Sequence, residues 1–372
     1  MVLLIVVIYA LYILWMYKAF VFNLNISNIE LYEKLKISII IAFRNEEKNI
    51  ISCLQSLISQ NYHPENFEIV LCNDHSEDKS IELIEQFISS NPNFKIILVK
   101  NSNNEIGKKQ AIFNAVKHCN FDILAFTDAD CVLGKNWLKC IASAYTQYKD
   151  AKMLCGPVTF QKQDKIWEKL MSLEFASLMA ITVSSILNKK PFICNAANMA
   201  IKKEVFLNSI NSIYQKKYSS GDDVFLLHFV KKQFGSNSIY LMNVKESLIY
   251  TTAPPNISSF IQQRIRWSSK TIGYSDRFAL FSAYLVFIVC LSIAGGIIFS
   301  FFYGKLANFV VAIFLIKTFV DALLIHKMLS LLNRKDLLKW IFLEQLFYVF
   351  YVPTLTFIAL KKTYTWKGRI TS

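Results

Sequence analysis

Hydrophobic positions run together at the two ends of the chain and alternate with polar ones in the middle, which predicts three kinds of region. Met1 to Phe22 is apolar apart from Lys18, long enough to cross a bilayer as one helix. It has no basic leader and no small-residue cleavage site, so residues 1–22 are expected to be a retained anchor rather than a signal peptide. Residues 278–360 return to long Phe, Leu, Ile and Val runs. Phe278–Tyr303 and Leu306–Lys327 predict two spans joined at Gly304-Lys305. Trp340–Leu360, interrupted by Glu344, Gln345 and Pro353, predicts a third segment that crosses or bends back. A full crossing would put the basic tail, residues 361–372, on the far side, so a re-entrant or interfacial segment suits it better.

Between the ends the period changes. Ile37–Phe43, Phe67–Cys72, Ile96–Val99 and Phe121–Thr127 are short apolar, strand-like runs; Glu47–Ser59, Ser80–Ser89 and Lys108–Lys117 have helical spacing. This alternation over residues 36–252 predicts an α/β domain built on a doubly wound, mostly parallel sheet. After Pro254-Pro255, residues 253–275 predict an amphipathic helix at the membrane surface, with Phe260, Ile261 and Ile265 dipping in and Arg264 and Lys270 reaching for phosphates.

Composition agrees with a membrane protein: 53% of 372 residues are hydrophobic and only 10 are glycine. The net charge of +14 raises nucleic acid as a partner, but the sequence has no zinc-ligand spacing and no reading helix, which argues against it. The basic residues gather at 264–270, 334–339 and 361–369, beside apolar segments, where anionic lipid and a nucleoside diphosphate are the better partners. Lys18, Lys34 and Lys36 flank the first span and place the middle domain in the cytosol; the expected location is a bacterial inner membrane. Eight cysteines without a Cys-x-x-Cys pair read as reduced thiols in a core. No glycine fingerprint of a dinucleotide or P-loop site is present.

In doubly wound sheets ligands bind at the carboxyl ends of the strands, and there the polar residues collect: Arg44-Asn45-Glu46-Glu47, Asn73-Asp74-His75-Ser76, and Asp128-Ala129-Asp130. Side chains at i and i+2 of an extended chain share a face, so Asp128 and Asp130 form either a seat for a hard divalent cation or a solvated strand end. Asp74 could equally cap the helix from Ser80 through an Asx turn. Lys108 and Lys109 follow Gly107 at a helix start, where a diphosphate could sit, or lie on the surface. Gly221-Asp222-Asp223 offers a base or a helix N-terminus. Gln263, Arg266 and Trp267 lie at i, i+3 and i+4, on one helix face.

In this order, with Asn195-Ala196-Ala197-Asn198 between the acidic motifs, these stretches resemble the membrane-bound branch of glycosyltransferase family 2, which includes ceramide glucosyltransferases and cellulose or hyaluronan synthases. The resemblance implies a GT-A fold, a nucleotide-sugar donor and inversion at the anomeric carbon. It implies that Asp74 bonds a uracil, that Phe43, Asn45 and Glu47 line the nucleoside pocket and that Lys108 serves the donor. Asn73 stands where the family usually has a second acid, so the base preference is less fixed. It further implies that Asp130 ligates Mg2+ or Mn2+ and that Asp128 contacts ribose or supports the metal. Asp223, beside Asp222, becomes the base, while Gln263, Arg266, Trp267 and Asn198 serve diphosphate and acceptor. The expected activity is a single, metal-dependent transfer of hexose from a UDP-sugar to a membrane lipid. A processive polysaccharide synthase and a non-catalytic membrane scaffold that binds nucleotide sugars are the alternatives; with four candidate spans a polymer channel would be meagre.

Overall fold

A computed structural model describes residues 1–24, 35–101, 106–162, 164–214, 222–359, 364–366 and 369–371. Helix α1 (Val2–Phe22) precedes a domain in which strand and helix alternate: β1 (Ile37–Phe43), α2 (Ile50–Ile58), β2 (Phe67–Asn73), α3 (Ser80–Ser90), β3 (Ile96–Lys100), α4 (Lys108–Lys117) and β4 (Ile123–Phe126). There follow β5 (Cys131–Leu133), α5 (Trp137–Gln147), β6 (Met153–Cys155), β7 (Val158–Phe160), α6 (Ile166–Leu187), β8 (Met199–Lys202), α7 (Lys203–Tyr214), α8 (Asp222–Phe234), β9 (Ile239–Leu241) and β10 (Ile249–Thr251). The chain then continues through α9 (Ile257–Ser268), α10 (Arg277–Ser300), α11 (Ala307–Leu331), α12 (Ile341–Ala359) and the strands β11 (Tyr364–Trp366) and β12 (Arg369–Thr371).

The expected doubly wound sheet is present, in the order β3-β2-β1-β4-β8-β6-β9. The strands β3, β2, β1 and β4 run parallel, and β8 is antiparallel to both β4 and β6. The β-branched run of β1 is buried on both faces, as the centre of a parallel sheet requires. At the end of the sheet away from the acidic motifs, the fully buried Glu68 accepts from Ser38 Oγ (2.6 Å), the Asn120 backbone N–H (2.6 Å) and Lys95 Nζ (2.7 Å), locking β1 and β2 to the loop before β4. A second sheet, β5-β10-β7, is folded across the carboxyl end of the first and carries Thr251 beside the acids. All eight cysteines are buried with free thiols, as their spacing predicts.

Among the described residues five helices, α1, α6, α10, α11 and α12, are long and apolar enough to cross a membrane. The sequence reading expects four and places 166–187 inside the catalytic domain. A 22-residue helix is about 33 Å long, but α6 starts just after β7 and returns within 11 residues to β8, so both its ends belong to the sheet domain. It therefore lies between that domain and the other helices, packed on α1, α11 and α12, with most of its length buried. Helix α12 is continuous through Pro353. Its second half packs on α9, with Leu355 and Ala359 against Ile265 and Tyr351 stacked on Phe260 at 5.7 Å. The apolar face of α9 is thus covered by protein rather than by lipid headgroups. Strand β11 also lies against α9; the side chains of the basic tail are outside the described residues.

Polar groups lock the bundle from within. Lys317, fully buried on α11, donates to Asp321 Oδ2 (2.7 Å) one turn away and to Gln345 Oε1 on α12 (2.5 Å). Tyr9 on α1 donates to the other oxygen of Asp321 (2.7 Å), and Gln345 Nε2 donates to Glu344 (2.9 Å). Charges in an apolar bundle are tolerated when paired in this way.

Candidate active site

The loops after β1 and β2 are laced together. Arg44, 8% exposed, donates through Nη1 to the carbonyls of Asp74 (3.1 Å) and His75 (2.7 Å), and through Nη2 to Glu77 (2.8 Å). Asn45, in the left-handed region at φ 52°, accepts from the Glu77 backbone N–H (2.8 Å), and Glu47 accepts from that of Lys79 (3.2 Å). Both side chains are exposed and point at the neighbouring loop. This corrects the expectation that Asn45 and Glu47 line the nucleoside pocket; their chain neighbours Phe43, Arg44 and Glu46 face it instead.

The turn after β2 resolves the ambiguity of Asp74. Asn73 Oδ1 makes the Asx turn by accepting from the Ser76 N–H (3.0 Å), and Asp78 Oδ1 accepts from the Ser80 N–H at the start of α3 (3.0 Å). Asp74, relieved of both tasks, is 1% exposed, reaches the cavity and accepts from the Gly107 N–H (2.8 Å). Gly107 has φ +107°, a conformation that other residues rarely adopt, and it places Lys108 at the first position of α4.

Beyond β4 the two acids face different partners. Asp128 is ion-paired with Lys108 Nζ. Burial works against the lysine's charge, but Asp128 outweighs it and holds the ammonium's pKa above its ordinary value. Asp130 accepts from Thr251 Oγ1 (3.1 Å). Burial first, then the charges of Asp128 and Glu46, push its carboxyl up to about 6. The pair therefore already attracts one cation, the ammonium of Lys108, and remains a site where more positive charge would be stabilising. Among the described residues no group of three or more His, Cys, Asp or Glu side chains is arranged to hold a metal ion, so a bound divalent ion would need oxygens from another ligand.

Asp223, at the start of α8, lies in the same cavity. Its Oδ2 accepts from the Ala196 N–H (3.1 Å) and its Oδ1 from the Val224 N–H (2.9 Å), so helix start and cavity position coincide. The side chain of Asp222, like Gly221, lies outside the described residues. The Asn195–Asn198 stretch serves this acid through its backbone. Asn198 is fully buried and does not reach diphosphate or acceptor as expected. Its Nδ2 donates to the carbonyls of Pro157 and Ser247 (2.7 Å each), and its Oδ1 accepts from Trp137 Nε1 (2.9 Å). A Cβ at Gly156 would fall 2.5 Å from that amide. Asn198→Ala strands the indole and two carbonyls at roughly 1 kcal/mol each, an expected loss of about 3 kcal/mol, read as a lowered unfolding midpoint in detergent; an unchanged midpoint would refute the clamp.

Helix α9 contributes Gln263, Arg266 and Trp267 to the cavity wall, the face that i, i+3, i+4 spacing predicts. Arg264 does not reach toward lipid phosphates. It is buried, ion-paired through Nε (2.9 Å) and Nη2 with Glu174 of α6, and donates through Nη1 to Gln263 Oε1 (2.6 Å). Its guanidinium lies 4.2 Å from the Trp267 ring and 4.5 Å from that of Phe260. Removing one partner of such a pair leaves the other charge buried. Glu174→Ala is expected to cost about 3–5 kcal/mol in a denaturant titration, with Glu174→Gln milder; a loss below 1 kcal/mol would mean that solvent reaches the arginine.

The cavity joining these residues is about 1060 Å3. Its polar end holds Asp74, Lys108, Asp128, Asp130, Asp223 and Arg266. Its other end runs between α6, α10 and α12 along Phe175, Leu178, Phe287, Tyr351 and Leu355. Tyr274, which the sequence reading left without a role, also lines it; burial, then the charge of Asp223, raises its hydroxyl pKa and keeps it protonated. Thr251 and Glu174 belong to no local motif and carry no sequence signal of a site role, while Glu46 stands in the Arg44–Glu47 stretch without a role of its own.

Comparison with known proteins agrees with this architecture. Residues 38–208 match the sequence model described as Glycosyl transferase family 2. The chain is 25% identical, over 71% of its length and 84% of the relative's, to a dolichyl N-acetyl-alpha-D-glucosaminyl phosphate 3-beta-D-2,3-diacetamido-2,3-dideoxy-beta-D-glucuronosyltransferase of Methanococcus voltae. It is 30% identical to glycosyltransferase AglE of Haloferax volcanii, over 28% of this chain and 33% of that protein. Among solved structures, the mannosyltransferase PcManGT of Pyrobaculum calidifontis, in complex with GDP-Man and Mn2+, superposes with a TM-score of 0.57 over 96% of this chain and 95% of its own, at 15% identity. That likeness gives the fold, a GT-A-like α/β domain.

Proposed function

We propose that this chain, a glycosyltransferase whose residues 38–208 belong to glycosyl transferase family 2, transfers a hexose with inversion from a nucleotide sugar, a UDP-sugar in the first instance, to a membrane lipid. One observation carries the reading: a single cavity runs from the acidic residues of the sheet domain to an apolar limb between helices long enough to cross a membrane. A water-soluble donor and a lipid-borne hydroxyl or phosphate can meet there. The Methanococcus relative, named for a dolichyl-linked acceptor, supports the acceptor class.

In this reading Asp74, buried and reaching the cavity beyond the Gly107 N–H, accepts from the nucleobase. Lys108 and Arg266 meet the diphosphate, the latter with its planar fork. Asp128 and Asp130 are the residues that would hold Mg2+ or Mn2+, which would supply charge stabilisation to the departing nucleoside diphosphate. Hard oxygen donors and a half-buried carboxyl pushed up to about 6 fit such an ion, and the Mn2+ in the Pyrobaculum complex is in accord. Asp223 takes the acceptor's proton as its oxygen attacks the anomeric carbon, and Trp267 offers a ring face to the sugar. The domain between α1 and α9 faces the cytosol.

The test is to supply membranes carrying the chain with a panel of UDP- and GDP-sugars, with Mn2+ or with chelator, and to analyse lipid extracts and aqueous polymer separately. A donor-dependent, metal-dependent glycolipid is expected. A high-mass polymer would select a processive synthase, and neither product would point to a donor-binding scaffold.

A further inference from the structure

The apolar limb of the cavity does not end blindly. On α10, Ala283 and Tyr284 line it, and Tyr284, 63% exposed, continues the helix face of the exposed Phe281, Ile288 and Leu291; on α12, Phe357, 55% exposed, lines it and continues the face of the exposed Phe350 and Thr354, so both lie on outward faces of the bundle. A residue can be both cavity wall and outer surface only at an opening. The opening lies along the seam of α10 and α12, on a surface that is otherwise lipid-facing by its exposed Phe, Leu and Ile side chains. Across it Phe287 and Phe357 meet edge to face, with centroids 5.8 Å apart and planes at 73°. Facing the seam, the inner wall is Phe175 and Leu178 of α6.

We propose that this seam is a side door through which the hydrocarbon chain of a membrane-resident acceptor enters laterally from the bilayer, with Phe287 and Phe357 as its two leaves. The inference rests on the lipid-acceptor reading above and adds the entry route and the gating residues. A polar headgroup need not leave the membrane to reach Asp223. It moves along the limb toward the cationic end at Lys108 and Arg266, while the chain stays among aromatic and aliphatic side chains. Edge-to-face aromatic pairs are held weakly, and the rings can part by ordinary rotamer changes. A lipid with a slender chain passes between them; a water-soluble glycan gains nothing from this wall.

The full chain is reconstituted in phosphatidylcholine vesicles containing hexadecyl phosphate with a mid-chain diazirine, irradiated and mapped by mass spectrometry. Labelling of Phe175 and Leu178, on the inner wall, is expected alongside labelling of the outward-facing Phe319 of α11, which is 65% exposed and away from the cavity. Ala283→Trp, which places an indole in the opening, is expected to cut inner-wall labelling at least fivefold and leave Phe319 unchanged. Phe357→Ala is expected to raise inner-wall labelling about twofold or more. Absence of inner-wall label in the parent chain, or label indifferent to both substitutions, overturns the side door. Because photolabelling requires no sugar transfer, this outcome is separable from failure of the transferase reading, which is judged by the glycolipid assay.

Discussion

Asp223→Asn is expected to lower sugar transfer about a thousandfold while leaving nucleotide-sugar affinity within threefold. Asparagine keeps the volume, and its carbonyl oxygen can still accept from the Ala196 N–H that orients Asp223, giving up only the bond from the adjacent Val224 N–H, so the cavity wall keeps its shape. What is lost is the capacity to take a proton, and a positioned general base is worth about 10² to 10⁴ in rate. Turnover with a lipid acceptor and donor dissociation constants by calorimetry, measured on the same preparation, separate the two quantities. Transfer within tenfold of the parent would remove Asp223 from the chemistry. A parallel loss of donor affinity would make it a donor ligand instead.

The second large effect is expected at Asp130. Asp130→Asn halves the negative charge that the Asp128 pair offers a divalent ion, and the expected result is a fall in transfer of at least about a hundredfold, the scale on which a lost transition-state contact acts. Donor affinity should also lose its dependence on Mn2+. The fold should not suffer: the carboxyl is half-buried, with Thr251 as its hydroxyl donor, and an amide oxygen can accept the same bond without a charge in that setting. Metal-free Asp130→Asn is therefore expected to unfold at or above the parent's midpoint. A variant that is inactive because it is unfolded, or one that retains Mn2+-stimulated turnover, would contradict the assignment.

The sequence made much of the sheet domain legible because its signals are local. The β-branched run of β1 and the polar stretches behind β1, β2 and β4 follow directly from burial and from the geometry of strand ends. The Gln263, Arg266 and Trp267 face was readable from helical spacing alone. Three things were not. Motif resemblance gives a residue an address but not the direction of its side chain, so Asn45, Glu47 and Asn198 were placed in the site although they lace loops or clamp strands. Helix α6 was missed because Glu168, Lys169 and Glu174 interrupt its apolar run, and the charge that explains Glu174 stands 90 residues away on Arg264. The role of Thr251 depends on β10 pairing with β5, a register that no local pattern announces.

The buried cluster of Lys317, Asp321, Gln345 and Tyr9 also bears on how the chain is made. The pair on α11 lies one turn apart, so it can enter the bilayer as a neutral unit while the rest is still being synthesised. Its remaining partners stand far apart along the chain: Tyr9 lies 312 residues before Asp321, and Gln345 lies 28 residues after Lys317. Helix α1 must therefore wait through the synthesis of the whole sheet domain before its hydroxyl meets Asp321, and this cluster closes only once α12 has been made. A nascent chain that stops short of residue 345 keeps Lys317 without its amide partner, and a buried polar group that loses a partner costs free energy in a low-dielectric setting.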